Sequence, residues 1–358
     1  MEEQKDKNGM LEMMMQPAFC VRNGIITQVN QAARQLYIEP GTDITPMLGD
    51  AAQEYEAFED GCLCLTLEHS GCALHTSVTH MEDFDLFVID QAADQAELQA
   101  MALTAMSLRE PLSDIIAVTD QLFPTVQASD DALTQARIQQ MNRRLNQLHR
   151  IVCNMTDAVH YAGDIPPRMV CQDICAVVDE IFDHAEELVT GSGFRFTYAV
   201  PREPIYCMVS AERLERAVYN MLSNAMKHSK AGSLIEAKLT HRSNKLYLSI
   251  QDDGTGIPLH LRSSVYSRYR RQPGIEDHTS GLGLGMVLVR GAAAAHGGAV
   301  LIDQPNGSGT RITMSLAIRR CQSNTVRSNL LHVDYAGERD HGLLELSDVL
   351  PPEFYSKN

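Results

Sequence analysis

The reading of this chain turns on Asn220-Met-Leu-Ser-Asn224-Ala-Met-Lys227-His228, then Asp252-Asp-Gly254-Thr-Gly256-Ile257, then Gly281-Leu282-Gly283-Leu284-Gly285, and finally Gly307-Ser-Gly309-Thr310. Four elements in this order describe a nucleotide site built from one polar helix face and three glycine turns. On a helical wheel over 211–228, Leu214, Val218, Leu222 and Ala225 fall on one side. Asn220, Asn224 and Lys227 fall together on the other. A solvated face more usually carries charged pairs, so two amides and a lysine in line point to ligands. For this helix alone, a plain polar surface is the competing reading. An Asn carbonyl can accept Mg2+, a hard cation that prefers oxygen. Lys227 can set a point charge near phosphate oxygens.

The run Leu246-Tyr-Leu-Ser-Ile-Gln reads as a strand that delivers Asp252 at its end. A carboxylate there can accept the exocyclic amino group of adenine, and the glycines that follow let the backbone approach a ligand closely. Gly281–285 immediately precedes a helix, whose first N–H groups would point at phosphates. A dinucleotide site fits poorly, because the strand–turn–helix unit and the acidic residue are not where that motif needs them.

The 358 residues are long for one domain, and two or three are expected. Hydrophobic residues make up 44%, enough for real cores. The longest apolar run, 286–302, is interrupted by Arg290, His296 and glycines and is too polar to span a bilayer. The charged start, Met1-Glu-Glu-Gln-Lys-Asp-Lys, leads into no signal-peptide core, so a cytoplasmic location is expected. A net charge of −16 argues against general nucleic-acid binding. No Lys or Arg occurs between Arg34 and Arg109, whereas 262–271 is rich in Arg. The nine cysteines are scattered and lack zinc-site spacing, so buried free thiols are expected.

Residues 14–92 alternate short β-like runs with turns, in the order strand, strand, helix, then several strands. The phrase Asn23-Gly-Ile-Ile-Thr-Gln-Val-Asn-Gln-Ala-Ala resembles the opening of a PAS domain. A structural dimerisation module would give the same pattern. From Leu98 a heptad seam takes over: Leu98, Met101, Ala105, Leu108, Leu112, Ile115, Thr119 and Leu122. Turn residues follow around 124–131, and a second seam runs through Met141, Leu145, Leu148, Val152, Met155 and Val159. These predict an antiparallel hairpin, best buried by pairing with a copy of itself into a four-helix bundle. Packing against the chain's own neighbouring domains is the alternative. Gly163-Asp-Ile-Pro-Pro marks a boundary, after which helices and strands mix in an α/β layer. The expected class is α+β multidomain: a PAS-like sensor module over 1–92, a dimerisation hairpin over 93–163, an ATP-binding α/β sandwich over 164–320, and a tail over 321–358 with no assignable role.

Together the four glycine and amide elements resemble the ATP-binding domain of sensor histidine kinases, within the wider gyrase/Hsp90/MutL superfamily. Asn220–His228 is similar to the N-box, 252–257 and 281–285 to the two glycine boxes, and 307–310 to the last; His296-Gly-Gly sits in register. The resemblance implies ATP and Mg2+ as ligands, with the metal on Asn224, adenine on Asp252 and phosphate contacts from Asn220 and Lys227. It also implies a nucleotide-contacting Gly254, Gly256, Ile257, Gly281, Leu282, Gly283, Leu284, Gly285 and Thr310. A lid is implied over 258–280, in which Tyr266-Ser-Arg-Tyr269-Arg-Arg271 resembles the aromatic F-box and brings Tyr269 and Arg271 to the nucleotide. His228 stands where Tyr is common in the family and should pack beside the nucleotide. Partners implied are a second copy through the hairpin and a response regulator or other signalling protein.

Two departures bear on chemistry. ATPases of this superfamily carry a water-activating Glu one turn before the Mg2+-binding Asn; here that position is Asn220, so efficient hydrolysis by that route is not expected. The segment Ala105-Met106-Ser107-Leu108-Arg109-Glu110-Pro111-Leu112 resembles the family's H-box, but Met106 falls on the phospho-acceptor His and Ser107 on the neighbouring acid. A thioether has no proton to lose and is a poor phosphoryl acceptor. His149 and His160 lie on the second hairpin helix, where lone histidines are more often surface residues. The expectation is an ATP-binding signalling protein without the usual acceptor. The alternative is a protein-serine kinase or nucleotide-gated partner-binding module similar to anti-sigma-factor kinases.

Overall fold

The computed structural model describes residues 11–89, 93–127, 132–162, 167–257, 284–305, 307–319 and 340–356. Its N-terminal part opens with β1 (Ala18–Arg22) and β2 (Ile25–Val29), joined by a turn with Asn23 and Gly24 at positive φ. Asn30 then starts α1 (Gln31–Gln35): its Oδ1 accepts from Ala33 N, and its amide donates to the Met14 and Gln16 carbonyls. Two short helices, α2 (Thr45–Leu48) and α3 (Ala52–Glu56), precede β3 (Cys62–His69), β4 (Cys72–His80) and β5 (Asp85–Ile89). Phe19, Ile26, Leu65 and Phe87 lie in the core that forms under these helices.

The expected hairpin is present as α4 (Ala93–Gln127) and α5 (Ala132–Ala162). The helix α4 runs through Pro111 and Pro124, so the turn expected from 124 begins later. Ala105, Leu112, Ile116 and Val152 form the core between the two helices. Other seam positions stay in the open: Leu108 is 46% exposed, Ile115 53% and Leu148 45%. His149, expected on the surface, is buried.

The remainder runs through β6 (Val170–Asp173), α6 (Ile174–Gly191), β7 (Arg195–Ala199), β8 (Tyr206–Val209), α7 (Ala211–His228), β9 (Leu234–Arg242) and β10 (Lys245–Asp252). It continues with α8 (Gly285–Ala295), β11 (Val300–Asp303) and β12 (Thr310–Ala317). Alternating buried positions on β9 and β10 put Ile235, Ala237, Leu246, Leu248 and Ile250 under α6 and α7, as the two-residue period of a half-covered sheet requires. Hydrophobic pattern alone did not disclose β6 and β8, a small two-stranded sheet.

One ten-stranded sheet joins both halves, in the order β2-β1-β5-β4-β3-β11-β12-β10-β9-β7. The junction is the antiparallel pair β3–β11, with Cys64 opposite Val300 and Cys62 opposite Ile302. Strand β3 shows one face to each core: Cys62 and Cys64 to the C-terminal one, Leu63, Leu65 and Leu67 to the N-terminal one. A buried Lys245 on β10 ties the halves further, donating to Glu54 Oε1 at 2.6 Å, while the Ser315 hydroxyl donates to the same oxygen. Two cysteines depart from the buried-thiol expectation. Cys72 is exposed on the β3–β4 turn, and Cys171 is disulfide-bonded. No helix among the described residues is long and apolar enough to cross a membrane.

Candidate nucleotide site

Strand β10 carries Asp252 to the sheet's end, opposite Thr310 of β12. The carboxylate is buried, and its Oδ1 accepts from Gly254 N at 2.7 Å and from Thr310 N at 3.3 Å. Burial pushes the Asp252 carboxyl above its usual pKa, and these two N–H groups and the nearby His228 only partly oppose it. The turn before β12 has to pass very close: a Cβ on Gly309, which has φ +70°, would stand 2.0 Å from the Asp252 carbonyl. Gly309 N in turn donates to the Gly254 carbonyl at 3.0 Å, so the first and last glycine turns hold each other. Gly256 has φ +72°, and Ile257 packs half-buried on the core.

The amide face of α7 meets this end of the sheet from the side. Asn220 is 1% exposed, and Gly285 at the start of α8 leaves room for it; a Cβ there would stand 2.7 Å from Asn220 Oδ1. Leu284 is buried beside it. The Asn224 Nδ2 donates to Met286 Sδ at 3.2 Å, which keeps its Oδ1 as the atom for a hard cation. His228 is exposed, and its carbonyl accepts from Thr255 N. The structure thus brings together Asn220, Asn224, Lys227, His228, Asp252, Gly254, Gly256, Ile257, Leu284, Gly285 and Thr310 around the ends of α7, α8 and β10. Tyr269, Arg271, Gly281, Leu282 and Gly283 lie outside the described residues.

Sequence reasoning missed what covers the α7 face. Residues 340–356 fold as α9 (His341–Glu345) and a terminal turn, with Leu346, Leu350 and Tyr355 in the main core. Asp340 caps α9, its Oδ1 accepting from Leu343 N, while its Oδ2 pairs with His184 at 3.0 Å. Glu345 pairs with Arg150 of α5 and with Arg216 of α7, both at 3.1 Å. Asp348 Oδ2 accepts from Lys227 Nζ and from Arg150 Nη1, each at 2.8 Å. Arg150 Nη2 also donates to Asn220 Oδ1 at 3.1 Å. Arg143 of α5 donates to the Ser347 and Asp348 carbonyls. Burial alone would raise the Asp348 carboxyl, but the Arg150 and Lys227 charges outweigh it and hold it below the usual range.

Residues 209–320 match the model of a family described as histidine kinase-, DNA gyrase B-, and HSP90-like ATPase. The sensor histidine kinase WalK of Bacillus subtilis is 24% identical over 240 residues, covering 64% of this chain and 38% of that protein. The adaptive-response sensory kinase SasA of Synechococcus elongatus is 24% identical over 232 residues, 62% of this chain and 59% of that protein. The chain is a relative of the sensor histidine kinases. A crystal structure of full-length ShkA in complex with AMPPNP shares the fold at TM-score 0.51 and 17% identity, over 66% of this chain and 48% of that one. The chain spans 15% to 59% of the length of the first curated relatives it matches.

Within this histidine-kinase-type ATPase domain, His296 has a structural task. Its Nδ1 donates to the Ala292 carbonyl at 2.7 Å and its Nε2 accepts from Ser210 N at 3.1 Å, an arrangement that needs the neutral ring. Burial lowers its pKa to about 4, with the Arg213 and Arg319 charges acting in the same direction. The unfolded chain therefore binds the extra proton first, near pH 6.5. Stability should fall as pH drops from about 6.5 to about 4, by up to about 1.4 kcal/mol per unit from this residue. Urea midpoints at pH 7 and pH 5, for the wild type and His296→Gln, check it: the wild type should show the larger pH dependence.

On the hairpin, Met106 is 59% exposed, and the neighbouring Ser107 hydroxyl is turned back onto the Thr104 carbonyl at 2.7 Å. Neither side chain is an imidazole.

Proposed function

We propose that this chain is a cytoplasmic, ATP-binding signalling protein of the histidine kinase type that does not phosphorylate itself at the usual position. One observation supports the nucleotide reading: buried Asp252, fixed through one oxygen by Gly254 and Thr310, lies by way of Gly254 next to His228, at the end of the helix that carries Asn220, Asn224 and Lys227. On this reading Asp252 accepts the adenine amino group, and Lys227 and Asn220 contact phosphate. The Asn224 oxygen would hold Mg2+, which supplies charge neutralisation to the phosphates when bound. Asn220 is a poor base, which disfavours hydrolysis by the water-activating route. Phosphoryl transfer needs a nucleophile with a proton to lose, and Met106 has none.

The same reading divides the chain into a PAS-like sensor module over 1–92, a hairpin over 93–163, the ATP-binding part over 164–320 and a C-terminal segment. The hairpin pairs with a second copy: Leu103, Met106, Leu108, Ile115, Val118 and Leu148 are exposed among the described residues, and this apolar surface supports a four-helix bundle. A response regulator or comparable signalling protein is the partner class that fits this type of domain. The test is incubation of the full chain with γ-labelled ATP and Mg2+, followed by mapping of any label. No phosphohistidine is the expected result, and label on His149 or His160 would overturn the loss of self-phosphorylation.

A further inference from the structure

We infer that the acidic turn at 345–348 is a built-in competitor of the nucleotide for its own site. The inference rests on the nucleotide reading above and adds how the site is controlled. Asp348 already occupies Lys227, the cation assigned to phosphate, and shares Arg150 with Glu345. Glu345 in turn approaches the Asn220 amide, Nδ2 to Oε2 at 3.5 Å. Two carboxylates thus stand where phosphate oxygens would, satisfying the same donors with the same charge-assisted bonds. Asn220, at 1% exposure, is closed off by Arg150, Glu345 and Gly285, so a ligand reaches it only after this turn withdraws.

The segment is no part of the family-type fold, whose match ends at 320. It is anchored apart from the acidic turn, by Leu350 and Tyr355 in the core and by the Asp340–His184 pair. Withdrawal of the turn therefore does not require loss of the whole segment. The hairpin is bound to the same turn: Arg143 and Gln147 of α5 donate to the Ser347 carbonyl, and Arg150 bridges Glu345, Asp348 and Asn220. Nucleotide that takes Lys227 and Arg150 from Asp348 would release α5 from the ATPase domain. Occupancy is then read out as freedom of the hairpin relative to that domain. Because binding and docking exclude each other, the docked turn lowers apparent affinity by the fraction of chains in which it is withdrawn.

The experiment titrates Mg·ATP into the full chain and its Asp348→Asn variant, with hydrogen exchange followed in the wild type. The variant should bind at least about tenfold more tightly, the scale of a lost charge-assisted contact. Amides of Leu346, Ser347 and Val349, hydrogen-bonded in the docked turn, should exchange faster when ATP is added to the wild type. Equal affinities with binding intact in both proteins, or unchanged or slower exchange in 346–349, would overturn the competition alone. Absence of saturable binding in both proteins would remove the nucleotide reading and the competition with it. Binding by Asp348→Asn but not by the wild type would support both.

Discussion

Asp252→Asn is expected to weaken Mg·ATP binding by roughly 10- to 100-fold, the worth of one hydrogen bond to a charged acceptor. The fold should survive, because Asn keeps an oxygen for the Gly254 and Thr310 N–H groups that now bond Oδ1. It also removes a carboxylate that burial makes costly to ionise, so the melting temperature should not fall. The base-specific part of the effect is separable. Inosine triphosphate lacks the exocyclic amine, so the wild type should discriminate against it and the variant should not. A variant that loses ATP and the inosine analogue equally would place Asp252 in the architecture of the loop and not in base recognition.

Arg216→Ala should destabilise the chain by about 3–5 kcal/mol, the usual cost of leaving a buried carboxylate without its partner. Arg216 is buried on α7 between three elements: it pairs with Glu345 of the C-terminal segment and Asp157 of α5, and it donates to Asn154 at 2.8 Å. Its removal takes one of two arginines from Glu345 and the arginine from Asp157, and takes the clamp off both α5 and α9. Urea denaturation monitored by circular dichroism reads the loss directly. Replacing Arg216, Glu345 and Asp157 together by Met, Leu and Leu should recover much of it, since Arg150 keeps Asp348 and the carboxylates that Arg216 held are gone with it. If the single variant costs under about 1 kcal/mol, the network behaves as a surface salt bridge and the burial argument is wrong.

The elements with strong internal periods are legible in the sequence. The α7 wheel and the alternating strands β9, β10 and β12 have one face committed to a core, and that commitment is written in residue spacing; the hairpin seams mark two helices, but Leu108, Ile115, Met141 and Leu148 on them are exposed. The place of Asp252 at the end of β10 was legible from the alternating run Leu246–Gln251 and the glycines that follow it. The junction β3–β11 was not legible, because Cys62, Cys64, Val300 and Ile302 look the same whether a strand is at an edge or paired. The C-terminal segment was hidden for another reason. Leu343-Leu-Glu-Leu and Val349-Leu-Pro-Pro are too short for a period, and Glu345 and Asp348 read as solvated charges until Arg150, some two hundred residues away in sequence, is seen beside them. Arg150 itself lies off the expected seam, on a face where Asn142, Asn146 and His149 are buried while Met141 and Leu148 are exposed, so no apolar period marks it. The polar side of α7 is not a plain solvated surface, since Asn220 is 1% exposed.

Lys227 is held by Asp348 in an internal ion pair. On the proposed function the same lysine serves the nucleotide phosphates, and with Met106 at the proposed acceptor position binding and its control take the place of transfer to the chain itself.

Calorimetric titration of ATP with Mg2+ into the wild-type chain, repeated on Asp252→Asn, tests the central claim most directly. One saturable site per chain, weakened at least about tenfold in the variant, is the predicted result. The same affinity in both proteins, or no saturable heat in either the wild type or Asp348→Asn, would contradict it.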